Sequence, residues 1–217
     1  MALSRGPKII TDGLILCLDA ADKKSYSGSG TTWYDRSGND YDGTLINDPT
    51  FSDANGGCLV FDGVDDYVNA PLTKSASCTF SFWAKTTTIV TTPMLFNAGA
   101  SGGGPDLYFA HGKISWNTWN GASNSFASTP ASVTDGNYHH YVVVNDSASN
   151  AKLYYDGVLL GTATYVDASA NTNLTIGGNT ASYIWDGNIA STTIYNRAVT
   201  ASAVLQNFNA MKSRFGL

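Results

Sequence analysis

The amino-acid sequence predicts an all-β fold, a two-sheet antiparallel sandwich with one short C-terminal helix. Three observations carry this expectation. All 17 acidic residues are aspartate, there is no glutamate, and the one glutamine is Gln206, so two strong helix formers are all but missing. Thr, Ser, Asn, Gly and Tyr are abundant instead, which suits half-buried strands and turns. Apolar and polar residues alternate with period two, most clearly from Cys78 to Lys85. With 217 residues the chain suits one sandwich, since such folds commonly run to about 200–250 residues as a single unit. The expected organisation is an N-terminal arm over 1–12 and a single domain over 13–217.

Taken in order, Gly13 to Ala20 (GLILCLDA) supplies a near-continuous apolar strand, and Lys24 to Gly43 a long polar connection rich in turn signals. Cys58 to Pro71 reads as two apolar strand pieces around Asp-Gly-Val-Asp-Asp. In the next strand Cys78, Phe80, Phe82 and Ala84 share one face, assigned to the core. Thr79, Ser81, Trp83 and Lys85 share the other, a candidate for exposure. Gly99 to Gly104 reads as a loop, because it lacks the Lys-Ser/Thr and helix that a phosphate-cradling loop needs. Tyr154 to Leu159 is a hairpin with Asp156-Gly157 at its centre, where a type I′ turn requires positive φ. Finally Thr200 caps a helix on which Val204, Leu205, Phe208, Met211 and Phe215 recur at helical spacing.

Composition excludes some functions. The net charge is −5, and Lys and Arg are scattered singly apart from Lys23-Lys24, so no basic stripe exists to neutralise phosphates and nucleic-acid binding is not expected. No apolar region follows the N-terminal charges as in a secretory signal, and no run is long enough to span a membrane. Cys17, Cys58 and Cys78 fit no metal spacing and read as free thiols.

Few residues suggest chemistry. Asp62, Asp65 and Asp66 read first as a turn whose side chains bond nearby amides; as a metal site, clustered carboxylates with loop carbonyls are what calcium takes. No other cofactor is expected. His139 and His140 are adjacent on a strand and point to opposite faces, so they cannot serve one metal or one proton transfer. His111 has no partner at a recognisable spacing, and no catalytic residue is assigned. Trp116 and Trp119, with Asn117 and Asn120 beside them, are the candidate ligand-binding residues, because an exposed ring next to amide side chains combines stacking with hydrogen bonding. The alternative is that one Trp packs in the core and the other covers a loop.

The string from Leu174 to Phe208, LTIGGNTASYIWDGNIASTTIYNRAVTASAVLQNF, resembles the closing segment of the laminin-G-like, concanavalin A-like jelly-roll family. Cys58–Pro71, Thr79–Thr86, Tyr138–Asp146 and Ala151–Thr164 resemble its earlier blocks, in the family's order. Two positions depart from the pattern: Tyr138 stands where the family usually has Trp, and Ala190-Ser191 where an acidic pair is usual. The lead-in, GLILCLDA followed by Thr-Trp-Tyr-Asp-Arg-Ser-Gly-Asn (Thr32 to Asn39), resembles that of jelly-roll modules in bacteriophage and bacterial surface proteins. The resemblance implies a jelly roll, and some laminin-G-like domains bind calcium. It also admits glycoside hydrolases, but these use a carboxylate pair and no glutamate is present. The expected function is therefore a non-enzymatic structural protein on a bacteriophage virion surface, a capsid decoration or fibre-type protein contacting host glycans. Its expected partners are other virion proteins, such as the major capsid protein or tail components, and further copies of itself. The alternative is a standalone carbohydrate-binding lectin or adhesin module, extracellular or on a cell surface.

Overall fold

The computed structural model describes residues 7–89, 93–98, 105–110, 113–118, 123–125, 133–146, 150–164, 173–178 and 183–217. Among them two eight-stranded sheets face each other. The first has the order β14 (Val158–Thr164), β13 (Asn150–Tyr155), β12 (His139–Asp146), β7 (Ser77–Lys85), β16 (Asp186–Tyr195), β5 (Cys58–Asp62), β4 (Thr50–Ser52), with β1 (Leu14–Asp19) also paired to β16. The second runs β11 (Ser123–Ser125), β10 (Lys113–Thr118), β9 (Pro105–Ala110), β8 (Met94–Asn97), β15 (Leu174–Ile176), β6 (Tyr67–Ala70), β3 (Gly43–Ile46), β2 (Thr32–Trp33). Every strand pair is antiparallel. One helix, α1 (Ala201–Met211), follows β16 and continues into a 3-10 turn, Lys212–Phe215. This is the jelly-roll sandwich that the sequence predicts. No helix among the described residues is long and apolar enough to cross a membrane, and all three cysteines are free.

The alternation in β7 decides what lies between the sheets. Phe80 and Phe82 point inward and stack on Phe96 of the second sheet, with ring centroids 4.5 and 4.9 Å apart. Trp116 closes the group at 6.0 Å from Phe96 and 6.3 Å from Phe80. Aromatic pairs at these separations add to the stabilisation from burying their area.

The opposite face of β7 is buried as well, which corrects the expectation that it is exposed. Trp83 stacks on His140 of β12 at 4.8 Å, on Phe208 of α1 at 5.7 Å and on Phe215 at 4.4 Å. Tyr138 adds a ring 4.5 Å from Phe215. His140 lies wholly inside this stack, with Nε2 2.8 Å from Ser81 Oγ. Burial drives its pKa down to about 3, so the ring is neutral.

The C-terminal segment is held in place by polar contacts as well as rings. Thr200 caps α1, its hydroxyl oxygen accepting from the Ala203 amide at 3.2 Å. Val204 packs with Val142, Val144, Tyr154, Tyr195 and Val199. Leu205, expected on the same apolar face, is half exposed. Buried Asn207 donates to the Tyr195 hydroxyl at 2.9 Å, Tyr195 donates to the Ile10 carbonyl at 3.1 Å, and the Ile10 amide donates back to Asn207 Oδ1 at 2.9 Å. Residues 7–12 of the arm thus lie along the domain's own helix. Arg214 pairs with Asp19 at 2.7 Å and donates to the Asn55 carbonyl at 2.6 Å, fixing the end of the chain to β1 and the β4–β5 connection.

The β13–β14 hairpin has the expected turn, with φ of 50° at Asp156 and 79° at Gly157. A side chain at Gly157 would also press on Leu205 and Phe208 at 3.2 Å. Asp156 reaches back to β12: Oδ1 accepts from the His140 amide at 2.8 Å and Oδ2 meets His139 Nδ1 at 2.7 Å. His139 Nε2 lies 3.3 Å from Asp135. Burial alone pulls the His139 pKa down, but the two carboxylates outweigh it and hold the group above its ordinary value. The two histidines face opposite ways, as adjacent strand residues must.

Two outcomes follow. Phe82→Ala should cost about 3–5 kcal/mol in denaturant unfolding, the range for emptying an aromatic core site; a loss below about 1 kcal/mol would mean that the inward face is wrongly assigned. His139 binds its proton more tightly folded than unfolded, so its contribution is fully present below its ordinary pKa of about 6.5 and is lost as pH rises through the higher folded value. Asp156→Asn keeps a residue that tolerates positive φ but removes the charge. Its unfolding midpoint should fall most below pH 6.5 and converge on the wild type at high pH. Parallel midpoint-versus-pH curves would rule out the ion pair as the source.

Candidate functional site

Both faces of the first sheet are covered, one by the second sheet and the other, along β12, β7 and β16, by the C-terminal segment and arm. The second sheet differs. Its inner face carries Leu45, Val68, Ile176, Phe96, Leu107 and Trp116, paired in succession across β3, β6, β15, β8, β9 and β10, all of them buried in the core. One residue along each strand the chain faces the other way. There the register aligns Thr32, Thr44, Asn69, Thr175, Asn97, Asp106, Asn117 and Ser123 in one row that crosses all eight strands. Every position carries a hydroxyl, an amide or a carboxylate.

The row becomes more enclosed toward its middle. Thr44 is exposed, Asn69 half-buried, and Thr175, Asn97 and Asp106 are buried. Asn97 Nδ2 donates to Asp106 Oδ2 at 3.4 Å. Thr175 Oγ1 lies buried between the Asn69 and Asn97 positions without a hydrogen-bond partner. A buried hydroxyl left so is costly and uncommon. At one end of this sheet Tyr183, half exposed, accepts at its carbonyl from the Met94 amide at 2.8 Å and holds φ at 63°. Such a φ is strained for a bulky side chain, and strain of this kind clusters at ligand sites.

The residues singled out from sequence divide. Trp116 is fully buried and belongs to the aromatic core, so it offers no ring to a ligand, a correction that follows from its inward parity on β10. Asn117, one residue on, falls in the polar row by register. Trp119 and Asn120 lie outside the described residues. The row itself escaped sequence reasoning, because its members come from eight strands spread over residues 32–175. The only local signal is a polar residue beside apolar ones in strands such as β3 (GTLI), β6 (YVNA), β8 (MLFN) and β15 (LTI).

Asp62, Asp65 and Asp66 do come together. They form the turn between β5 in one sheet and β6 in the other, and one carboxylate oxygen of each lies within 4.8 Å of the others. Asp62 Oδ1 accepts from the Val64 amide at 2.8 Å, and Asp66 Oδ2 from the Asp62 amide at 3.1 Å. Gly63, at φ 76°, lets the turn lie against Asp186, whose Cβ would be 2.8 Å from an added side chain. Burial, then the negative charge of Asp62, Asp65 and Asp48, pushes the Asp66 carboxyl up to about 6.

Solved structures of similar shape share little sequence. The binding domain of botulinum neurotoxin serotype D superposes with a TM-score of 0.71 at 15% identity over 92% of this chain and 52% of that one. The binding domain of Paraclostridial Mosquitocidal Protein 1 gives 0.74 at 14% identity, over 92% and 52%. The chain therefore spans about half the length of these toxin domains. Domain 4 of AbnA, an extracellular arabinanase of Geobacillus stearothermophilus solved with arabinotriose, gives 0.69 at 20% identity, covering 90% of this chain and 98% of that domain. None of these three is a virion component, so the expected bacteriophage role gains no support from them. No curated protein matches the chain. A family model described as the concanavalin A-like lectin/glucanases superfamily matches residues 62–205, the span holding most of both sheets, and the chain belongs to that superfamily.

Proposed function

We propose that the chain is a non-enzymatic carbohydrate-binding module that takes a neutral glycan along the polar row of its second sheet. The observation that carries this is Thr175 Oγ1, a buried hydroxyl without a protein partner in the middle of a row of amides and hydroxyls. A sugar hydroxyl both donates and accepts, and so complements Thr, Asn and Asp side chains. Eight strands spaced about 4.8 Å apart give the row a length of roughly 34 Å, the scale of an oligosaccharide rather than of one sugar. The row holds the Asp106 carboxylate and no Lys or Arg, which favours a neutral glycan over an anionic one. Asp106 is also its only carboxylate, whereas glycoside hydrolysis takes a pair. The arabinotriose bound by the AbnA domain is of this neutral class. A sialylated ligand, as named for the DC neurotoxin binding domain, would have to find its cation elsewhere.

Calorimetric titration with arabinotriose and other neutral oligosaccharides, beside a sialylated one, tests this. At least one neutral glycan should bind, and Thr175→Val, which keeps the shape and removes the orphan hydroxyl, should weaken it roughly 5- to 100-fold while leaving the melting temperature unchanged or higher. Asn97→Ala should weaken it similarly. Binding untouched by both substitutions, or release of cleaved sugar, would contradict the proposal.

A further inference from the structure

We propose that a cavity beneath the C-terminal cover binds a small neutral molecule with an apolar body and one hydrogen-bonding group. Strand parity makes its floor. Cys17 pairs with Thr193 and Asp19 with Ser191 across β1 and β16. Leu16, Leu18 and Ile194, which alternate with them, belong to the core, so these four side chains face the helix and the arm. The next outward positions carry rings: Trp83 stands beside Ser191, and Tyr195 lies two residues beyond Thr193. The cover rests on those rings. Phe208 and Phe215 stack on Trp83 at 5.7 and 4.4 Å, and the Tyr195 hydroxyl holds Asn207 and Ile10. Above the shorter side chains the cover does not reach down, and a cavity of about 360 Å³ lies there, walled by Ile9 of the arm and by Ala210 and Met211. The arm wall is fixed in turn, since Gln206 donates to the Lys8 carbonyl at 2.8 Å.

Size, polarity and charge define the ligand. A cavity of about 150 Å³ holds one benzene, and pockets for larger ligands begin at about 300 Å³, so the space suits two fused rings. Ile9, Ala210, Met211 and the Cys17 thiol offer apolar contact, while the buried Ser191 and Thr193 carry hydroxyls to the floor. An anion is disfavoured. Asp19 lines the cavity, and burial, then the charges of Asp19, Asp35 and Asp22, push the Cys17 thiol up to about 12. Lys8 also lines the cavity but is exposed to water, which screens it. A cation gains little, because each carboxylate is already engaged: Asp19 by Arg214 at 2.7 Å, Asp22 by Arg36 at 3.1 Å, and Asp35 by the Cys17 and Ser37 amides at 2.8 Å. What remains is a neutral, flat or compact molecule with one hydroxyl or amide.

The test is calorimetric titration of the full chain with 2-naphthol, beside 2-naphthoate as its anionic counterpart. Cys17 supplies a second readout, because it is partly accessible whereas Cys58 and Cys78 are fully buried, so methyl methanethiosulfonate on the native protein reports the cavity floor. 2-Naphthol should bind with a dissociation constant of roughly 10 μM to 1 mM and, at saturation, slow the modification of Cys17 at least about fivefold. The naphthoate should bind at least about tenfold more weakly. Ala210→Phe fills the cavity from the helix and should abolish naphthol binding. Protein methylthiolated at Cys17 should lose it likewise and regain it after dithiothreitol, a comparison that needs no substitution to fold. No heat and no protection of Cys17 would overturn the proposal, as would naphthoate binding equal to that of naphthol, or naphthol binding that survives both ways of filling the cavity. Thr175→Val should leave naphthol binding unchanged, since the glycan row shares no residue with the cavity, so each of the two sites can fail without the other.

Discussion

Strand β7 is buried on both faces, and the rest of the molecule is arranged around that fact. Its inner residues Phe80 and Phe82 need the second sheet, and its outer residue Trp83 needs a second cover. An antiparallel sheet commonly leaves one face to water; here the outer face carries a large ring where a polar side chain would stand. The helix after β16 exists to answer it. Phe208 and Phe215 lie on Trp83, while Asn207, Tyr195 and Ile10 close a cycle of hydrogen bonds that holds helix and arm down. The neutral, wholly buried His140 belongs to the same cover rather than to any proton chemistry.

With the first sheet committed on both sides, the polar face of the second sheet is where we propose that this sandwich meets a ligand. The parity that drives Phe96 and Leu107 inward places Asn97 and Asp106 on the opposite face, so core and polar row come from one alternation. A residue inserted into β8 or β9 would exchange the two rows. This coupling explains how a chain so poor in charge, with no glutamate and scattered lysines, can still line up a polar row: amides and hydroxyls placed by register need no charge pairs. The toxin domains and the arabinanase domain of the same shape share less than a quarter of their residues with this chain, so what is common to them is the scaffold.

Much of this architecture was legible before the structure. Period two in Cys78–Lys85 assigned Phe80 and Phe82 correctly, Asp156-Gly157 marked its turn, Thr200 marked the cap, and the block from Leu174 to Phe208 carried the family. The failures share one cause. Alternation says that two faces differ but not what covers them, so Trp83 read as exposed when its partners lie more than 120 residues away at Phe208 and Phe215. Trp116 and Asn117 were both candidates because parity on β10 is fixed only by its pairing with β9. The carboxylate turn was visible as a string, whereas the burial of Asp66 depends on how the chain passes from β5 to β6 in the folded sandwich. The arm lies against its own helix through Ile10 and Lys8 over its described part, contacts between residues nearly 200 apart that no local pattern announces.

The central claim is a location, and amide chemical-shift mapping tests it most directly. With nitrogen-15-labelled protein titrated with a neutral oligosaccharide that binds, the account predicts that perturbed amides concentrate at Thr44, Asn69, Asn97, Asp106 and Thr175, with those around Trp83, His140 and α1 unmoved. Perturbations confined to the first sheet or to the arm, with the polar row silent, would contradict it.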